Sequence, residues 1–123
     1  MDAIGRRRWA IPEGYIPSES KFSDRALVSH ETACILNAGD RDAKVAITVY
    51  FADREPVRYE VAVGARRTRH LRFDDLTDPQ PVPRDTDYAS VFESDVPIVV
   101  QHTRLDSRRA EIALLSTVAY AEG

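Results

Sequence analysis

The sequence predicts an all-β protein, a single-domain antiparallel β-sandwich of about eight short strands. Apolar and polar residues alternate with a period of two in several segments, most regularly in residues 44–51. Turn-forming residues separate these segments at short intervals, as in residues 37–40 and 52–56. No segment carries an amphipathic helical pattern longer than about two turns. The 123 residues fit one domain, spanning residues 1–123, with a core of ordinary size.

Four strands are predicted in the first half of the chain. The first covers residues 5–11, where Trp9 needs burial or a stacking partner, and a proline-bounded loop follows it. The second covers residues 26–37 and ends at a glycine-containing hairpin connection. Residues 44–51 and 58–63 form the third and fourth strands. Their core-facing side chains are predicted to be Val45, Ile47, Val49, Phe51, Val61 and Val63.

The fifth predicted strand, residues 66–73, is strongly basic. Its alternation places the apolar side chains of Leu71 and Phe73 inward, on the same face as the arginines at positions 67 and 69. Binding of phosphate groups, as in nucleic acid, is one interpretation of such a run. The acidic residues that follow it favour internal neutralisation or a charged subunit contact instead. The predicted subunit-contact residues are Arg66, Arg67, Arg69 and Arg72.

Three more strands are predicted after an acidic, proline-rich loop. Residues 87–94 and 96–105 form the sixth and seventh strands, joined by a tight turn over residues 94–97. Pro97 suits the first position of a strand, because no ladder hydrogen bond is needed there. The eighth strand covers residues 112–120, although its alanine and leucine residues would also suit a helix.

The seventh predicted strand changes character along one face. Ile98 and Val100 are apolar, whereas His102 and Arg104 on the same face are polar. This change predicts that the strand leaves the core and enters a polar pocket or an interface, with Asp106 nearby. The alternative is structural: Arg104 ties the strand end to Asp106 or another acid, and His102 bonds a backbone carbonyl or reaches solvent.

Composition narrows the class of protein and its compartment. A net charge of −3 gives no general attraction to nucleic acid. Residues 1–8 lack the apolar region of a signal peptide, and no stretch approaches the roughly 20 apolar residues of a membrane span. The single cysteine, Cys34, excludes an internal disulfide bond. We therefore expect a soluble protein of a reducing cytoplasm.

Catalytic and metal-binding motifs are absent from the sequence. His30, His70 and His102 lie on three different predicted strands, and their spacing gives no local support for a zinc site. Cys34 lies within a strand, where an inert thiol is favoured over a nucleophile. Phosphate-binding loops, dinucleotide fingerprints and the G-x-S-x-G motif are missing. The sequence predicts neither an enzyme, nor a metal site, nor a bound cofactor.

Long blocks of the chain resemble the sensory rhodopsin transducer family. They are WAIPEGYIP at residues 9–17, SHETACILNAGD at residues 29–40 and the stretch at residues 96–108, and the likeness extends through residues 65–70 and 85–90. The resemblance implies a small cytoplasmic β-sandwich that assembles as a homotetramer. It also implies binding to the cytoplasmic face of a seven-helix retinal protein and relay of its light state, with the retinal held by that partner.

The resemblance leaves a second class of function open. Where no rhodopsin is expected, a small-molecule or sugar-binding role has been inferred for the family, and action on transcription has been proposed. A ligand- or partner-binding site would form if the first, second and seventh predicted strands were neighbours. Its residues would be Trp9, Glu13, Tyr15, His30, Glu31, His102, Arg104 and Asp106. The resemblance carries over no catalytic residues.

Overall fold

Eight antiparallel strands provide most of the regular structure in the computed structural model, which describes residues 4–123. The strands are β1 (Arg6–Gly14), β2 (His30–Asn37), β3 (Ala43–Phe51), β4 (Val57–Val63), β5 (Arg67–Arg72), β6 (Tyr88–Asp106), β7 (Ala113–Val118) and β8 (Tyr120–Glu122). A single 3₁₀ turn, Phe73–Asp75, follows β5. Every strand pairing is antiparallel, so the predicted all-β class is confirmed.

The 19-residue strand β6 belongs to both halves of the sheet. Its first half pairs with β1 and β3, which continue outward to β8 and β4. Its second half pairs with β2 and β7, and β2 pairs in turn with β5. The two halves enclose one hydrophobic core, to which β2, β3 and both halves of β6 contribute.

The turn predicted over residues 94–97 is wrong, because β6 runs through it without interruption. Inward and outward side chains alternate from Tyr88 to His102, so this one strand contributes core side chains from Tyr88 to Val100. Within the described chain the ladders of β6 stop at Ser94 and resume at Ile98. The missing N–H of Pro97 therefore breaks no ladder hydrogen bond where the strand passes between the two halves.

The predicted core face of β3 and β4 is confirmed for the most part. Val45, Ile47, Val49 and Val63 are buried, whereas the other two predicted core residues, Phe51 and Val61, are partly buried and pack against the core. Aromatic side chains fill the space between the two halves. The Phe73 ring lies 5.4 Å from the Tyr88 ring and 6.2 Å from the Phe92 ring, measured between centroids.

The basic strand β5 differs from its prediction. Leu71 and Phe73 are buried as expected, although Phe73 lies in the 3₁₀ turn, but Arg67 and Arg69 are exposed. β5 is an edge strand paired only with β2, so its first residues extend past the core and keep their charges in water. The Arg69 guanidinium donates a hydrogen bond to the Ala62 carbonyl, 2.8 Å away.

The C-terminal segment forms two strands where one was predicted. β7 pairs with β6 and β8 pairs with β1, and the chain changes partner at Ala119, whose N–H donates to the Val100 carbonyl. Leu114, Val118 and Tyr120 are each more than 60% exposed, so this edge presents several large apolar side chains at the surface. None of the described residues forms a helix long and apolar enough to cross a membrane.

Candidate functional site

A buried carboxylate, that of Glu31, lies at the centre of the candidate site. The alternation of β2 turns Glu31 inward with Ala33 and Ile35, and its side chain is only 1% exposed. An ionised carboxylate is costly inside a protein unless charged groups and hydrogen-bond donors surround it. The contacts of Glu31 therefore define the chemistry of the site.

Three donors bind the Glu31 carboxylate. The His102 Nε2 atom lies 2.6 Å from Oε1, and the Arg104 Nε–H donates to Oε2 over 3.1 Å. The backbone N–H of Tyr15 also donates to Oε2. The register of β2 and β6 explains the contacts, because Glu31 lies directly opposite Arg104 and diagonally opposite His102.

The contacts of Glu31 indicate which ring nitrogen of His102 carries the proton. A carboxylate held by a guanidinium is ionised and only accepts hydrogen bonds, so Nε2 of His102 carries the proton and donates. In the neutral imidazole the other nitrogen, Nδ1, is then an acceptor. Nδ1 has no hydrogen-bond partner within residues 4–123, although the His102 side chain is only 7% exposed.

Two further groups lie next to Arg104 and Glu31: the carboxylate of Glu13 and the buried hydroxyl of Tyr88. The Arg104 Nη2 atom donates to Glu13 Oε1 over 3.3 Å. Partial burial opposes the charge of Arg104, but the carboxylates of Glu31 and Glu13 outweigh it and raise the pKa of the guanidinium. Burial, with the nearby negative charge of Glu31, raises the pKa of Tyr88 well above its usual value. The Tyr88 hydroxyl is buried without a hydrogen-bond partner in the described part of the chain.

His102 and Arg104 also line a cavity of about 390 Å³ between β1, β6, β7 and the start of β8. The apolar part of its wall comes from Ala10, Ile11, Pro12, Leu115, Val118, Ala119 and Tyr120. The polar groups Glu13, His102 and Arg104 come from β1 and β6. A mostly apolar cleft with a few convergent polar groups is typical of small-molecule sites.

Five of the eight sequence-predicted site residues meet at Glu31. Glu13, Glu31, His102 and Arg104 take part through their side chains, and Tyr15 through its backbone N–H. The expected adjacency is met in part: β2 pairs with the stretch of β6 predicted as the seventh strand, whereas β1 pairs mainly with residues 88–93 and reaches the seventh-strand stretch at the Arg6–Ile98 pair.

The other three predicted residues lie elsewhere. Trp9 is a core residue whose indole N–H donates to the carbonyls of Arg6 and Ile98. His30 bonds the Val28 carbonyl through Nδ1. Asp106 is bound by Arg108 and faces a separate, charged cavity of about 780 Å³. The structural alternative for the strand end agrees with the contacts of Arg104, which binds the neighbouring acids Glu31 and Glu13. It does not agree with those of His102, which bonds the Glu31 carboxylate and not a backbone carbonyl.

Residues that could support other chemistry are not brought together. No group of three or more histidine, cysteine, aspartate or glutamate side chains suited to a metal occurs between residues 4 and 123. Burial raises the pKa of Cys34, which favours the thiol over the nucleophilic thiolate. Arg72, one of the predicted subunit-contact residues, forms a largely buried ion pair with Asp74 at 2.9 Å.

Tyr88 and the cavity wall from β7 and β8 were not predicted as site residues. The position of Tyr88 beside Glu31 depends on the pairing of β1 with β6, which the sequence does not encode locally. Leu115, Val118 and Tyr120 fit the alternation of an ordinary strand in the sequence. Pairing of β7 with β6 places Leu115 opposite Arg104 and Val118 opposite Gln101, and the change of partner at Ala119 places Tyr120 opposite Ala10 of β1.

Comparison with known proteins identifies the family of the chain. A solved structure of the Anabaena sensory rhodopsin transducer is 63% identical, with a TM-score of 0.77, and the match covers 89% of this chain and 96% of that one. A crystal structure of Thermotoga maritima 1070 is 41% identical, with a TM-score of 0.86, over 96% of both chains. No curated protein sequence matches significantly. The family described as Anabaena sensory rhodopsin transducer matches residues 4–121, and this chain belongs to it.

Proposed function

We propose that this protein is a cytoplasmic signal transducer that binds a membrane sensory rhodopsin and relays its light state. The observation that carries the proposal is the 63% identity to the Anabaena sensory rhodopsin transducer over nearly all of that chain. The protein would act as an adaptor rather than an enzyme. It would lie at the membrane surface only through its receptor, and the retinal would belong to the receptor.

A titration against the receptor tests this proposal. The receptor is placed in lipid nanodiscs with its retinal, and binding of the transducer is measured by interferometry. The controls are empty nanodiscs and nanodiscs that hold an unrelated retinal protein. We expect saturable binding to the receptor alone. Equal signals from all three kinds of nanodisc would exclude a specific receptor contact.

We further propose that the protein assembles as a homotetramer. Leu114, Leu115, Val118 and Tyr120 leave a long apolar edge exposed on β7 and β8. Within the described residues β7 pairs only with β6 and β8 only with β1, so each has a free edge. Exposed apolar edge strands are usually covered by another chain, and a second copy of the same chain is the commonest cover. This edge is a better candidate for the subunit contacts than the charged strand β5.

The solution mass and two substitutions test the assembly. Light scattering is expected to give about four times the 13.8 kDa of one chain. Leu114→Lys should lower that mass, because it places a charge in the proposed contact. Arg67→Ser on β5 should leave it unchanged. A monomer mass for the unmodified protein, or dissociation by the β5 variant alone, would contradict the proposal.

A second candidate function is a small-molecule-binding module that has no rhodopsin partner, takes a sugar-like ligand and is linked to transcriptional control. The observation that favours a ligand is the cavity of about 390 Å³ at His102 and Arg104. Direct nucleic-acid binding has less support, because the net charge is −3. Retention of a small ligand during purification, together with no receptor binding, would favour this function.

A further inference from the structure

We propose that the cavity at His102 binds a small neutral ligand that has an apolar body and a hydroxyl or N–H group donating to His102 Nδ1. This inference rests on the ligand-binding part of the second candidate function, applies with or without a rhodopsin partner, and narrows the class of the ligand. It requires no catalytic step. It depends on the proton position of His102, on the charge balance of the cavity and on the nature of its wall.

The first step concerns the hydrogen-bonding role of Nδ1. The bond from Nε2 to Glu31, 2.6 Å long, leaves Nδ1 of the neutral ring as an acceptor. The side chain is more than nine-tenths buried, lines the cavity, and finds no Nδ1 partner among the residues that the structure describes. Nδ1 opens onto the cavity and is not sealed in the core, so a ligand that donates to it would replace solvent at an acceptor that the protein itself leaves unpaired.

The second step concerns charge. When His102 is neutral, Glu31 and Glu13 place two negative charges around the single positive charge of Arg104. Two of the guanidinium nitrogens of Arg104 already donate to these carboxylates. An anionic ligand would therefore meet a net negative surface and compete with Glu13 for the same guanidinium. A neutral ligand avoids this repulsion.

The third step concerns the wall. Ile11, Pro12, Leu115, Val118 and Tyr120 surround most of the cavity. A sugar carries hydroxyl groups on every side, and most of them would lose water there without gaining a partner. A ring or short chain with its donor at one end fits better, because its apolar body faces these side chains while the donor reaches Nδ1.

A matched set of probes tests the ligand class on the intact protein. The probes are 4-ethylphenol, its methyl ether 4-ethylanisole, the anion 4-ethylbenzoate and the neutral sugar methyl glucoside. Binding is followed by NMR titration at about pH 8, above the usual range of histidine titration. We expect 4-ethylphenol to bind at least tenfold more tightly than each of the other three and to shift the His102 ring signals.

Two variants assign the preference to the site. His102→Phe keeps a ring but removes the acceptor, and should reduce the preference for phenol over ether to less than about twofold. Thr117→Trp adds bulk to the cavity without changing Glu31, and should abolish binding of 4-ethylphenol. This variant keeps the inference testable if His102→Phe fails to fold. Equal affinity for phenol and ether, tighter binding of the anion or the sugar, or no binding at the cavity would each overturn the inference.

The receptor titration separates this inference from the transducer function. The same Thr117→Trp protein is titrated against receptor nanodiscs. Loss of probe binding with receptor binding retained is the expected result, and it leaves the two functions independent. Absence of probe binding in the unmodified protein would refute the ligand inference whether or not the receptor binds. Failure to bind the receptor would refute only the transducer function.

Discussion

At the scale of single residues, Glu31 contributes both to the fold and to the candidate site. Its carboxylate joins β1, β2 and β6, because its donors are the Tyr15 N–H directly after β1 and the side chains of His102 and Arg104. The same contacts orient His102 toward the cavity. Substitutions at Glu31 therefore test the structural basis of the site.

Glu31→Gln should lower the free energy of unfolding by about 3 kcal/mol, since removing one partner of a buried ion pair leaves the other uncompensated. The amide would also point a donor at groups that are themselves donors. Urea denaturation measures the change. Glu13→Gln is the matched control: its side chain is 75% exposed, so the loss should stay below about 1 kcal/mol. Equal losses in the two variants would contradict the central role of Glu31.

Asp106 provides a pH-dependent contribution to stability. Its hydrogen bond with Arg108 holds the pKa of the carboxyl below its usual value. A lowered folded-state pKa stabilises the protein above the unfolded value of about 3.9, and the contribution is lost as the pH falls through the folded value. The unmodified protein should therefore exceed Asp106→Asn in unfolding free energy by less than about 1 kcal/mol at pH 6. The difference should shrink as the pH falls below about 4. A difference that is constant across this range would contradict the ion pair.

At the scale of elements, the buried face of each strand was more predictable from the sequence than the strands with which it pairs. The alternation in β3 and β4 predicts the core because each side chain's face depends only on its own strand. The continuity of β6 was not predictable, since Ser94 to Pro97 has the composition of a turn. Only long-range pairing shows that the strand runs on.

The same limit applies to the site. The change from Val100 to His102 and Arg104 predicted a polar end on β6, and Glu31 faces it as expected. The burial of Trp9 and the pairing of Asp106 with Arg108 depend on contacts that alternation does not determine. Sequence patterns gave the faces of the strands, whereas the cavity depends on which strands lie together.

The close pairing of β1 with β6 at Gly14 and Tyr88 depends on the absence of a side chain at Gly14. A Cβ atom there would lie 2.4–2.8 Å from ring atoms of the buried Tyr88. Gly14→Ala should therefore displace the ring beside Glu31 and lower the free energy of unfolding by about 1–3 kcal/mol. Gly64→Ala is the control, because its nearest contact would be an ordinary 3.4 Å. A change of less than about 0.5 kcal/mol in both variants would show that β1 adjusts freely.

At the scale of the whole molecule, the two proposed roles share part of one surface. The apolar edge of β7 and β8 is proposed to hold the subunits together, and three of its residues, Leu115, Val118 and Tyr120, also line the cavity that is proposed to take a ligand. The receptor contact must lie on a surface that remains accessible in the assembly. Relay of a light state adds a thermodynamic requirement, because the transducer can report the receptor state only if its affinity differs between the two states.

The most direct test is the affinity of the transducer for its receptor in the dark and under steady illumination, measured on the same nanodiscs. Retinal-free receptor serves as the control for heating by the light. We predict that the two dissociation constants differ by about fivefold or more, the lower end of typical allosteric couplings. Equal dissociation constants in the dark and in the light would contradict the transducer function, because a partner that binds both states equally shifts neither.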